Sequence, residues 1–309
     1  MTQKPLKDPV ASIRQRLLNH AKAHNDNYQR ILTRYAIERL LFRLSQTEAR
    51  DRYILKGAML FVTWPAHAFR PTGDLDLLGQ GDPDPAAIAE LFSRICQVAV
   101  PEDGIIFDTA TLVVEGVREE DKYQGARLSL RGRLGTAVIP VQVDIGFGDQ
   151  VYPAPSRQTF PSLLPELPAA DVLMYPPETV VAEKFEAMIR FAEENGRIKD
   201  FHDIWVTART FPFDLAVLAE AVRGTLGRRN TAIPAELPLA LMPPFAERQS
   251  TQALWTGFLR RSPPTLPPPP FDELLGELRR FFEPVLGALA SPDAGQGRWN
   301  PARGAWERL

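Results

Sequence analysis

The sequence predicts an α+β protein: a mixed sheet flanked by N-terminal helices and followed by a C-terminal helical region. Three observations predict it. Helical periodicity runs through roughly the first fifty residues, short alternating segments separated by turn-formers fill the middle, and helical periodicity returns beyond Pro177. At 309 residues with 44% hydrophobic and 24% charged side chains, the chain has enough apolar material for a sizeable core, which argues against disorder, a collagen-like repeat or a disulfide scaffold.

Each element follows from local chemistry. Asp8-Pro9 joins a capping acid to a proline at the first helical position, and Val10, Ile13, Leu17 and Ala21 then recur at helical spacing. Tyr28, Ile31, Leu32, Tyr35, Leu41 and Leu44 predict a second, amphipathic helix reaching about Thr47. Thr109–Val117, Ala126–Arg133 and Val138–Phe147 read as strands, with a helix over Ala87–Val98 before them. Ala58–Val62 reads as a short apolar helix, and the Pro-rich Tyr152–Pro168 is expected to lead out of the sheet. Later helices are expected over Glu178–Phe191, Lys199–Thr210, Leu215–Leu226 and Phe271–Phe282. Ser262–Pro270 is an extended spacer. The domain reading is an N-terminal helical arm (1–50), a core (51–170), a C-terminal helical region (171–290) and a flexible tail (291–309).

Charge is uneven. Residues 1–50 carry ten Lys/Arg against four Asp/Glu and residues 51–150 nine against fifteen, so a basic arm precedes an acidic middle. This suits a polyanionic partner beside an acidic, metal-holding centre, and equally a solvated helix face. The one cysteine, Cys96, allows no intrachain disulfide and fits a reducing compartment. The first residues lack the apolar core of a signal peptide and no apolar run is long enough to span a bilayer, so a cytoplasmic protein with no membrane partner is expected.

Chemistry concentrates in three places. Arg70-Pro71-Thr72-Gly73-Asp74-Leu75-Asp76-Leu77 places two acids at alternate positions, on one strand face about 6–7 Å apart, where they can share divalent cations. Val141-Gln142-Val143-Asp144-Ile145 alternates likewise and offers a third carboxylate, although a hydrogen-bonded strand-end Asp gives the same pattern. Lys184 falls on the apolar face of its helix with Val180, Ala187, Met188 and Phe191, which suits either a polar cleft or a snorkelling stem. Lys199 and Asp203 form an i,i+4 pair, and Asp200 sits at the favourable end of the helix dipole. The four histidines form no His-Glu-x-x-His motif and no Gly-x-Ser-x-Gly elbow occurs, which weakens hydrolase readings. Arg228-Arg229 offers charge to RNA phosphates or simply to solvent.

Taken together, Leu55-Lys56-Gly57-Ala58, the Arg70-Pro71-Thr72-Gly73-Asp74-Leu75-Asp76 segment, Gln142–Asp149, Ala182-Glu183-Lys184 and Arg197-Ile198-Lys199-Asp200-Phe201 resemble the AbiEii/AbiGii nucleotidyltransferase toxin family, of the DNA polymerase β-like superfamily. The resemblance covers most of residues 28–290 and implies a polymerase β-like nucleotidyltransferase core. It implies Asp74, Asp76 and Asp144 as ligands of Mg²⁺, or Mn²⁺, and as catalytic residues with Lys184 and Asp200. It further implies a nucleotide-binding set of Lys56, Gly57, Arg70, Thr72, Lys184, Arg197, Lys199 and Asp203. The implied reaction is transfer of a nucleoside monophosphate from a nucleoside triphosphate to an acceptor hydroxyl, with pyrophosphate released, by the toxin of a pair with a cognate antitoxin. The tRNA 3′ end leads as acceptor, with a protein hydroxyl as the nearby alternative and a non-catalytic nucleotide- or RNA-binding regulator as the competing class. Two departures stand out: Gly57-Ala58 replaces the usual Gly-Gly or Gly-Ser and so brings no hydroxyl to the turn, and Gly196 stands where the family often has serine.

Overall fold

A computed structural model describes residues 8–64, 72–119, 123–291 and 296–308. In chain order its principal elements begin with α1 (Pro9–Ala23), α2 (Tyr28–Ser45), β1 (Tyr53–Lys56), β2 (Asp74–Gly79), α3 (Pro85–Cys96), β3 (Ile105–Glu119), β4 (Tyr123–Leu134), β5 (Ala137–Phe147), β6 (Ser156–Phe160) and β7 (Ala170–Met174). They continue with α4 (Pro177–Phe191), α5 (Ile198–Thr210), β8 (Phe213–Asp214), α6 (Leu215–Arg228), α7 (Pro243–Glu247), α8 (Gln249–Arg261), α9 (Phe271–Ala290), β9 (Gly297–Asn300) and β10 (Ala305–Arg308). Two units emerge, and both are discontinuous in sequence. The first combines Met1–Met59, Thr72–Gly148 and Arg157–Met174, and the second Leu60–Pro71, Asp149–Ser156 and Tyr175–Leu309. The helical arm and the sheet, read from sequence as consecutive domains, thus share the first unit.

The first unit is built on a mixed seven-stranded sheet of order β3-β4-β5-β2-β1-β7-β6. Alternation sets its faces. Leu75, Leu77, Val143, Ile145, Ala126 and Leu128 are buried, while Asp74, Asp76, Gln142, Asp144, Arg127 and Ser129 lie on the opposite, open face. On the buried side α2 packs against β5 and β7, and α3 against β3. The Pro-rich segment that was expected to leave the sheet contributes its edge strand β6 instead, which suits a proline-flanked segment because an edge strand needs only one hydrogen-bonded neighbour.

α1 starts as its sequence dictates, with the Asp8 carboxylate accepting from the Ala11 amide at 3.0 Å and Pro9 at the first position. α2 departs from an amphipathic helix: from Tyr35 to Ser45 it is buried on every side, its charged residues included. Each of those charges is answered. Glu38 accepts from Ser162 Oγ at 2.6 Å and the Leu163 amide at 2.8 Å, and pairs with Arg39 at 2.8 Å. Arg43 clasps Asp103 through two bonds of 2.6 and 3.1 Å. Burial pushes the Glu38 carboxyl above its ordinary range, against the pull of Arg39 and its hydrogen bonds.

In the second unit α4 packs on α6 and α5, and α5 and α6 pack on α9. The expected flexible tail contains a hairpin: β9 and β10 pair antiparallel and β9 joins β8 in a three-stranded sheet. Two tryptophans anchor it. Trp299 is buried and donates to the Ala208 carbonyl at 2.7 Å, and Trp306 donates to the Phe281 carbonyl at 2.9 Å. Among the described residues no helix is long and apolar enough to cross a membrane.

Candidate active site

Strand register gathers the acids. β2 runs parallel to β5 with Asp74 opposite Gln142 and Asp76 opposite Asp144, so all three carboxylates share one face on two adjacent strands. β1 lies on the other side of β2, antiparallel, and puts Lys56 opposite Asp76. Asp74 is exposed, whereas Asp76 and Asp144 are half-buried. Thr72, a candidate nucleotide contact, meets the backbone of the first acid, with the Asp74 amide donating to its hydroxyl at 3.4 Å. Arg70 lies outside the described residues.

Gly57 ends β1 and opens a short 3₁₀ helix, Gly57–Val62, where the sequence suggested an α-helix from Ala58. Its φ of +70° is a conformation that costs an L-residue about 1–2 kcal/mol, and a Cβ there would lie 2.6 Å from Cγ of Asp76. Glycine is therefore required twice, by the backbone angle and by the acid pressed against it. Gly57→Ala is expected to cost about 1–2 kcal/mol of stability and to displace Asp76, lowering transfer activity about 100-fold. A wild-type rate from Gly57→Ala, with its melting curve recorded alongside, would contradict this packing.

Asp144 is already engaged. Arg127, directly opposite it on β4, donates from Nε to Oδ1 at 2.7 Å and from Nη2 to Oδ2 at 3.1 Å, and Gln142 Nε2 donates to Oδ2 at 3.0 Å. Among the described residues no three His, Cys, Asp or Glu side chains converge as a metal-holding group. The donor set nonetheless fits a divalent cation in kind: three hard carboxylates share one polar face, open to solvent at Asp74, and Arg127 holds the third. Arg127 escapes a sequence reading because an arginine at an outward strand position looks like solvated charge.

Beside Asp74 the first unit has a groove of about 500 Å³, lined by Thr33, Gly73, Thr111, Ser129, Arg131 and Gln142 among others. It lies where β5 and β4 run on past the start of β2. A neighbouring hollow of about 500 Å³ shares Thr33 and Gly73 and adds Asn27, Gln29 and Arg30.

The second unit assembles the remaining candidates on α4 and α5. Lys184 Nζ donates to Asp200 Oδ1 at 2.6 Å and to Asp203 Oδ2 at 2.8 Å, and Arg197 Nε donates to Asp200 Oδ2 at 2.7 Å. The lysine thus has two carboxylates before it on an otherwise apolar helix face. Burial pushes the Asp200 carboxyl up, but Lys184 and Arg197 more than offset this and hold it below its ordinary value despite the opposing charge of Asp203. A depressed folded pKa means stabilisation present in full above the unfolded Asp value of about 4 and lost as pH falls through the folded one. Wild type is accordingly expected to exceed Asp200→Asn in urea midpoint from neutral pH down to about 5, with the gap closing below about 4. A gap that stayed constant to pH 3 would contradict the assignment.

Lys199 lies outside this cluster: it is exposed, and Asp203, its expected i,i+4 partner, is buried against Lys184, so helical spacing was overruled by burial. Arg229 is also corrected: rather than facing solvent or RNA, its side chain is largely buried, at 2.9 Å from Glu186, 3.1 Å from Asp149 and 3.6 Å from Glu183. Burial lowers its pKa, but those three acids raise it further than burial lowers it. Nothing local in Arg228-Arg229 announces partners 43 to 80 residues away.

A mixed sheet with a DxD strand, an in-register third acid and a glycine turn pressed on the acids is the architecture of a nucleotidyltransferase. The model for "Nucleotidyl transferase AbiEii toxin, Type IV TA system" matches residues 39–277. The chain belongs to this family of nucleotidyltransferase toxins of type IV toxin–antitoxin systems. Among solved structures, JHP933 from Helicobacter pylori is similar at 14% identity and a TM-score of 0.39, over 79% of this chain and 92% of that one. A second H. pylori chain, whose name sets it among the nucleotidyltransferases, is similar at 13% identity and a TM-score of 0.31, over 79% and 95%. These overlaps are loose, and the family match alone assigns the chain. No curated protein matches the sequence.

Proposed function

We propose that the protein transfers a nucleoside monophosphate from a nucleoside triphosphate to the 3′-terminal hydroxyl of tRNA, releasing pyrophosphate, and that it does so in the cytoplasm as a toxin restrained by its cognate antitoxin. The observation that carries the transfer reading is the register of β2 and β5, which sets Asp76 beside Asp144 with Asp74 on the same face. Asp74, Asp76 and Asp144 would hold Mg²⁺ or Mn²⁺, which when bound supplies charge to the phosphates and lowers the pKa of an attacking hydroxyl. Gly57, lacking a side chain, lets the Asp76 carboxylate pack against the backbone of the turn. Lys184, oriented by Asp200 and Asp203, is proposed to meet charge on the triphosphate.

The acceptor reading draws on the groove at Asp74. Its wall offers hydroxyls and amides from Thr111, Ser129 and Gln142 with the guanidinium of Arg131, a set suited to ribose and phosphate. The test is incubation with each α-³²P-labelled triphosphate, total protein, and tRNA either intact or with its terminal diol oxidised by periodate. Label on intact tRNA alone is expected. Label on protein, or equal label on oxidised tRNA, would refute the acceptor.

A further inference from the structure

Arg127 stands between two carboxylates. It is opposite Asp144 of β5 on one side and opposite Glu115 of β3 on the other, each in direct cross-strand register. With Asp144 it makes a two-pronged bond, and with Gln142 added, three donors occupy the two oxygens of that acid. The pair is open to water, with Arg127 47% and Asp144 31% exposed, so it is not needed to neutralise charge in the core. The hydrogen bond and charge of Asp144 hold the guanidinium ionised more firmly than usual, and Asp74 and Glu115 add to this. These three donors leave Asp144 about one acceptor position, on Oδ1, so a divalent cation that took the carboxylate as a ligand would meet the charge and the bonds of Arg127 there.

We propose that Arg127 is the resident counterion of Asp144 in the metal-free protein and passes to Glu115 when a divalent cation takes the carboxylate. The hand-over keeps Asp144 paired while no cation is bound, and makes cation loading a competition with an internal arginine. It rests on the reading of Asp74, Asp76 and Asp144 as the cation site. Glu115 is what separates a switch from a plain salt bridge: without it the displaced guanidinium has no carboxylate directly opposite it on β3, so loading becomes harder. Both strands are already paired in the sheet, so only side chains have to move.

The test is titration of Mn²⁺ into nucleotide-free protein, following free Mn²⁺ by electron paramagnetic resonance, for wild type, Arg127→Gln, Arg127→Lys, Glu115→Gln and Asp74→Ala/Asp76→Ala. Circular dichroism melts confirm that each variant is folded. Arg127→Gln is expected to lower the dissociation constant about tenfold, since the competing charge-assisted bonds are gone. Arg127→Lys, a point charge without the fork, is expected to fall between it and wild type. Glu115→Gln is expected to raise the constant about threefold. Unchanged or weaker binding in Arg127→Gln, with wild-type binding still lost in the double aspartate variant, would overturn the hand-over alone. No binding in wild type or Arg127→Gln would overturn the cation site, and the hand-over with it.

Discussion

Lys184→Ala is expected to destabilise the protein by about 3–5 kcal/mol, the largest stability effect of any single change at the candidate site. The reason is what the lysine leaves behind. Asp200 and Asp203 have side chains only 6% and 1% exposed, and each gives up an ammonium bond below 3 Å when Lys184 is lost. Arg197 still reaches Asp200, which favours the lower end of the range, while Asp203, the more deeply buried of the two acids, has its Oδ1 3.6 Å from His202 Nδ1. Removing charge from all three residues tests the cause: Lys184→Met/Asp200→Asn/Asp203→Asn should recover most of the lost stability in urea unfolding while remaining inactive. If Lys184→Ala unfolded within about 1 kcal/mol of wild type, the cluster would not be the buried network drawn above.

Asp74→Ala/Asp76→Ala is expected to do the opposite, lowering transfer on the order of 10³-fold or more while changing stability by less than about 1 kcal/mol. Asp74 is exposed and Asp76 half-buried, both project from the open sheet face, and the core residues Leu75 and Leu77 beside them are untouched. Activity surviving at a tenth of wild type in a folded double variant would remove these acids from the chemistry.

How far the sequence can be read depends on how far apart the partners lie. The alternation through Asp74 and Asp76, and again through Val143, Asp144 and Ile145, is local, so both strands and the face of each acid follow from period-two patterning. Lys184 was conspicuous because an ammonium on an apolar helix stripe demands an explanation, and α5 supplies one. Arg127 was not conspicuous, since its importance arises from register between β4 and β5, seventeen residues away, and an arginine at an outward strand position is ordinary. The same limit hid Arg229, whose acids lie on other elements, and the C-terminal hairpin, whose tryptophans find Ala208 and Phe281 only after the helices have packed. α2 looked amphipathic because its charged residues were counted as solvated, whereas Asp103, Ser162 and Leu163 meet them inside.

The central claim is that the three acids on the open sheet face serve transfer of a nucleotide and not of its terminal phosphate. The most direct measurement gives the protein each triphosphate labelled at either the α or the γ phosphorus, with divalent cation and total tRNA, and compares wild type with Asp74→Ala/Asp76→Ala. Incorporation of α label but not γ label, release of labelled pyrophosphate from the γ-labelled triphosphate, and loss of both incorporation and release in the folded double variant is the predicted result. Incorporation of γ label, or α label that persists in the double variant, would contradict it.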